Sequence, residues 1–316
     1  MNSPDDTAEH TVLHKLLLLE LRARRSERRW RLFRRLAGLL LLVALFWVLK
    51  PGTWSGTWSG TSVGQPHTAV IEIRGEIADD AEASARSIVP ALRDALGDKN
   101  TRGLILRINS PGGSPVQAGI INDEIRRLRA VHDKPIYAVV EEACASGAYY
   151  IAAAADDIYV DKASIVGSIG ALMSSFGFVD AMQKMGIERR LFIAGDDKGF
   201  GDPFSPMSEP QREHAQDLLD HVHRQFIEVV KRGRGDRIKD SPELFNGMFW
   251  TGEKAIALGL VDDYGSVDSV ARDVVGAERL VDYTNRPSVV ERVARRFGAA
   301  VGEGALRAMH VLPVLR

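Results

Sequence analysis

Cysteine is almost missing from this chain: Cys144 is the only one in 316 residues. That excludes an intramolecular disulfide, and with it any inference about redox compartment. No Cys/His zinc spacing exists either. Histidine is absent between His132 and His214, and His221 and His223, two apart on a predicted helix, share no face. No charge sign dominates overall, with a net charge of -1. That balance is uneven along the chain. Arg22, Arg24, Arg25, Arg28, Arg29, Arg31, Arg34 and Arg35 crowd one stretch, opposed there only by Glu27. The remainder is net acidic, which argues against a nucleic-acid-binding main domain. Apolar and charged fractions of 45% and 26% are ordinary and exclude wholesale disorder.

The apolar run 36–49 (LAGLLLLVALFWVL) stops at Lys50-Pro51-Gly52 and falls short of the roughly 17–25 residues that usually span a bilayer. A signal-peptide core and a buried helix are alternatives. A signal anchor is favoured, because Arg34, Arg35 and Lys50 can snorkel, Trp47 and Trp54 suit an interface, and no small-x-small cleavage site follows closely. The expected organisation is a cytoplasmic basic segment 1–35, an anchor helix 36–50, a Gly/Ser/Thr linker 51–67, a main domain 68–284 and an Arg-rich amphipathic tail 285–316. The basic flank places the N-terminus in the cytoplasm and the main domain outside the inner membrane.

Within the main domain, strands are expected at 69–73, 103–109, 135–140 and 157–160, and helices at 81–96, 115–131 and 146–155. A longer helix is expected over 209–232, opened by a Ser208/Gln211 capping box, with Pro210 in its first turn and a stripe of Leu218, Val222, Phe226 and Val229. Another helix is expected over 251–261. This strand–helix alternation predicts an α/β fold.

Two segments carry chemistry. Asn109-Ser110-Pro111-Gly112-Gly113 directly follows a buried strand, and adjacent glycines let backbone N–H groups face a developing oxyanion. Ala145-Ser146-Gly147-Ala148 sets a serine among small residues at a strand-to-helix junction, where it is either an exposed nucleophile or a helix cap. With no histidine in a recognisable context, the alternative base is a lysine. Such a base must be neutral, so its ordinary pKa of about 10.4 must fall. Cys144 reads as a small buried core residue.

In combination these motifs resemble the SppA-type signal peptide peptidases, the protease IV family, over roughly 68–283. The resemblance rests on Asn-Ser-Pro-Gly-Gly, Ala-Ser-Gly-Ala-Tyr-Tyr-Ile-Ala-Ala-Ala-Ala-Asp, Gly167-Ser168-Ile169-Gly170 and Gly259-Leu260-Val261-Asp262. It implies the ClpP/crotonase superfold, with Ser146 as nucleophile, Lys198 as general base, Gly112, Gly113 and Gly147 around the oxyanion, and Ser168 orienting the lysine. It further implies serine endopeptidase activity on signal-peptide remnants and other apolar peptides. No metal or cofactor is implied, and no nucleic acid. A ring-like homo-oligomer is, with active sites near subunit interfaces and Lys198 acting in cis or in trans. The sequence departs from the family where Asp196 and Asp197 precede Lys198, since carboxylates beside a lysine favour its charged form. Lys162, near Ser168, is a rival base. A crotonase-type acyl-CoA enzyme and a catalytically reduced membrane scaffold are the competing functions.

Overall fold

The computed structural model describes residues 64–286 apart from Asp240, together with Leu36, Gly38 and Leu39 as isolated helical positions. The Arg cluster, the rest of the expected anchor, nearly all of the linker and the tail from 287 lie outside the described residues. Among the described residues no helix is long and apolar enough to cross a membrane. Nearly all of them belong to one compact unit, Thr57–Arg286.

Strand and helix alternate from the start: β1 (His67–Arg74), α1 (Ala85–Gly97), β2 (Thr101–Ser110), α2 (Pro115–Val131), β3 (Ile136–Ala145) and α3 (Gly147–Ala152). Then come β4 (Asp157–Val160), β5 (Ile165–Gly167), α4 (Val179–Lys184) and α5 (Glu209–Arg234). The chain closes with β6 (Phe249–Thr251), α6 (Gly252–Ala257), β7 (Asp263–Tyr264) and β8 (Leu280–Asp282). The sheet order is β6-β5-β3-β2-β1-β8, with β4 between β3 and β7 off that path. Every pairing is parallel except β5 with β6.

A parallel sheet needs cover on both faces, which is why β2 reads as a nearly unbroken apolar run. Leu104, Leu106 and Ile108 join the large core with α1 and α2, while Ile105 and Val139 face the other way, onto Val270 and Ala271. The start of α2 is specified locally: Ser114 accepts the Gln117 N–H and Pro115 opens the helix. Its buried residues Ala118, Ile121, Ile125 and Leu128 follow helical spacing.

One irregularity shapes the site. Ile108 pairs with Val140 but Ser110 pairs with Cys144, so β3 takes four steps for two of β2. The bulge splits β3 between two neighbours. Tyr137–Val139 pair with β4, and Ala143–Ala145 pair with β5. Ser164 stabilises the split by donating its hydroxyl to the Glu141 carbonyl at 2.5 Å, satisfying an acceptor that the bulge removes from the ladder.

Several expectations need correction. The first helix begins at Ala85, where the Gln117 side chain accepts the Ala85 N–H. The helix expected over 251–261 ends at Ala257, and Gly259 then turns the chain. The capping box of α5 forms as expected, but only Phe226 and Val229 of its stripe are buried, and Leu218 is exposed. The reason is that only the C-terminal part of α5 reaches the core. There Phe226 meets the Tyr150 ring at 5.2 Å and Arg126 donates to the Val229 carbonyl.

From Ala171 to Ser208 no residue is buried, and α4 is the one regular element before α5. This arm carries Leu172, Phe176 and Phe192 at 86%, 77% and 92% exposure.

Candidate active site

Ser146 stands between the end of β3 and the start of α3 with φ 51 and ψ -124. Among the described non-glycine residues, only Ser146 and Ser168 have positive φ. Backbone in that region costs about 1–3 kcal/mol and persists only where its surroundings over-determine it. Here the Ser146 N–H donates to the Gly167 carbonyl at 2.8 Å, and the Tyr150 N–H donates to the Ser146 carbonyl at 3.0 Å. The Ser146 side chain makes no capping hydrogen bond to α3. Its hydroxyl is half-buried and uncommitted, so helix capping does not account for this serine.

The glycine loop is pressed against the same turn. A Cβ on Gly112 (φ +101) would sit 2.7 Å from both the Gly147 nitrogen and the Ser146 Cβ. A Cβ on Gly113 (φ +145) would run into the Ile77 carbonyl. Both positions therefore require glycine. The Gly112 N–H is spent on the Ser110 hydroxyl at 3.1 Å. By contrast, the Gly113 and Gly147 N–H groups have no hydrogen-bond partner among the described residues. A Cβ on Gly147 would lie 3.3 Å from the Gly113 nitrogen, so these two free donors border one small space. Of the two loop glycines, Gly113 is the one with a donor to spare.

Ser168 follows the paired position Ala145–Gly167, so Ser146 and Ser168 end adjacent strands one residue past the ladder. Ser168 has φ 53 and donates its N–H to the Met248 carbonyl at 2.8 Å. His223 of α5 reaches the next residue, its Nε2 lying 3.2 Å from the Ile169 carbonyl.

Lys198 is elsewhere. It is exposed in a turn of the arm, its N–H bonded to the Gly195 carbonyl, and its ammonium has no partner among the described residues. Neighbouring Asp197 turns away from it and accepts the Gln211 side-chain amide at 3.0 Å. That contact fixes the turn at the start of α5, whereas the Ser168 loop meets α5 at His223. His223 lies twelve helical steps beyond Gln211, or about 18 Å along the axis. In one chain Ser146, Gly113 and Gly147 border one another and Ser168 ends the adjacent strand, while Lys198 sits exposed on the arm. Lys162 lines a cavity of about 930 Å³ with Glu141, Asp161 and Tyr264.

Behind the serine, Tyr149 is fully buried and donates its hydroxyl to the Leu260 carbonyl at 2.6 Å. Two residues on, Asp262 receives both Nη atoms of buried Arg234 at 2.8 Å each. Burial pushes the Asp262 carboxyl up, but the Arg234 hydrogen bond and charge outweigh it and hold it below its ordinary range. The Gly259–Asp262 motif thus anchors α3 and α5 to one point. Cys144 is fully buried, and burial pushes its thiol up, which keeps it protonated and unreactive.

The family model "Peptidase family S49" matches residues 129–280 of this chain, a stretch that holds Ser146, Ser168 and Lys198 but not Gly112 or Gly113. This match, together with the relatives below, supports an SppA-type S49 peptidase. It is similar to the putative protease MJ0651 of Methanocaldococcus jannaschii, at 33% identity over 66% of this chain and 65% of that one. It is also similar to protease 4 of Haemophilus influenzae, at 32% identity over 68% of this chain and 35% of the relative. A Brucella melitensis protein named Na(+)/H(+) antiporter NhaA is 43% identical over 61% of this chain. Since the match spans only 26% of that protein, the S49 domain takes nothing from its name. The mixed α/β fold around a central sheet fits a ClpP/crotonase-like S49 domain.

Proposed function

We propose that this S49 member is a membrane-anchored serine endopeptidase in which Ser146 attacks the scissile carbonyl and Lys198 of a neighbouring copy acts as general base. The observation that carries the reading is the strained, uncommitted Ser146 beside the two free N–H groups of Gly113 and Gly147. In the reaction, neutral Lys198 takes the Ser146 proton as Oγ bonds to the carbonyl carbon. The tetrahedral oxyanion accepts hydrogen bonds from Gly113 and Gly147. Lysine returns the proton to the leaving amine, and water then hydrolyses the acyl-serine with the same base. Ser168, at the adjacent strand end, orients the incoming amine.

The exposed arm supports supply of the lysine in trans. Leu172, Phe176 and Phe192 are largely uncovered in one chain, and a second copy laid against them would bury both that surface and the ammonium. The proposed substrates are signal-peptide remnants and other apolar peptides. The 36–50 segment is proposed to hold the domain at the outer side of the inner membrane, where local concentration favours such substrates.

The test uses the full chain, an apolar peptide and a fluorophosphonate probe. Wild type is expected to cleave the peptide and to label on Ser146. Ser146→Ala is expected to lose the label and at least about 10⁴-fold in turnover. Undiminished cleavage by Ser146→Ala would overturn the assignment.

A further inference from the structure

We propose that His223 is a positioning residue, holding Ser168 in the conformation that lets it orient the lysine. The inference rests on the peptidase reading above but assigns a residue that reading does not use.

Ser168 has no glycine's freedom, yet it sits at φ 53, so its loop must be held from outside. Beyond the β5 ladders, three hydrogen bonds among the described residues hold it. Two are backbone to backbone: Ser146 N–H to the Gly167 carbonyl and Ser168 N–H to the Met248 carbonyl. The third is His223 Nε2 to the Ile169 carbonyl at 3.2 Å. It is the only one made by a side chain and the only one that comes from a helix. A carbonyl can only accept, so Nε2 carries the proton. Nδ1 has no partner among the described residues.

The position of His223 on α5 gives the contact its leverage. From Glu209 to Gln225 no residue of α5 is buried, and Phe226 is the first that is. His223 therefore lies one turn before α5 enters the core at Phe226, so the anchored part of the helix holds the imidazole against the Ser168 loop. The same helix holds the Lys198 turn at its other end through Gln211. Ile169 itself is fully buried, so its carbonyl is fixed in direction once the imidazole engages it.

The experiment compares His223→Ala, His223→Gln, Ser168→Ala and the His223→Ala/Ser168→Ala double variant in the full-length protein. It reads kcat and KM on an apolar peptide, the rate of fluorophosphonate labelling at Ser146, and Tm. His223→Ala is expected to lower kcat on the order of tenfold with KM nearly unchanged. His223→Gln, whose amide still donates, is expected to recover most of that loss. In the Ser168→Ala background the alanine at 223 is expected to cost almost nothing further, because the two act through one route. The inference is overturned if His223→Ala keeps wild-type kcat, if its loss persists in full in the Ser168→Ala background, or if Gln fails to rescue while Tm is unchanged. These outcomes are separable from failure of the peptidase reading, which would show as undiminished cleavage by Ser146→Ala.

Discussion

Around Ser146, strand ladders, a bulge sealed by Ser164 and the Arg234–Asp262 pair tie the backbone to the core. Around Lys198 the opposite holds: a turn without buried residues, held to its helix by an exposed Gln211–Asp197 hydrogen bond and a Phe200–His214 ring contact, on an arm that leaves Phe176 and Phe192 exposed. The contrast shows how the chemistry is divided. An oxyanion site depends on preorganised donors, so it is built into the core, where reorganisation is costly. A lysine base must be dry, and Lys198 is exposed in one chain, so on the proposed reading a second copy completes that half.

This division can be sharpened by substitutions on either side of it. The largest stability effect is expected at the core anchor. Arg234→Ala removes the two-pronged partner of Asp262, leaving it the Ile158 N–H and Arg237, and should cost about 3 kcal/mol, read as a large fall in Tm in thermal unfolding. Tyr149→Phe removes only the donor to the Leu260 carbonyl. It should cost about 1–3 kcal/mol by leaving that carbonyl unpaired, and it should slow Ser146 labelling because α3 loosens. On the arm, Phe192→Ser should shift the stability of the domain by no more than about 0.5 kcal/mol, since its side chain is 92% exposed. It should nevertheless weaken self-association in sedimentation velocity. A Phe192→Ser protein that unfolds like Arg234→Ala would erase the distinction between core and arm.

Much of the serine half was legible in the sequence. The buried run of β2, the Ser114-Pro115 start of α2 and the Ser208/Gln211 capping box are local signals, and the structure follows them. The juxtaposition of Ser146 with Gly112 and Gly113 came from a family resemblance, because which strand ends lie side by side is set by topology. The strands β5, β6 and β8 are three residues each, too short for alternation to show. The positive φ of Ser146 and Ser168 has no compositional mark, since serine does not announce strain as glycine does. The reach of His223 to Ile169 spans 54 positions and is invisible without the fold. Asp196 and Asp197 looked harmful beside a base. Asp197 instead serves as an acceptor for Gln211, a role that depends on where α5 begins.

The division of the site between copies is tested most directly by co-expressing Ser146→Ala with Lys198→Ala and assaying the mixed assembly on an apolar peptide. Each variant alone is expected to be inactive. The mixture should regain a substantial fraction of wild-type turnover, because an intact serine in one chain then meets an intact lysine from the other. A mixed assembly that forms and stays as inactive as either parent would contradict the account.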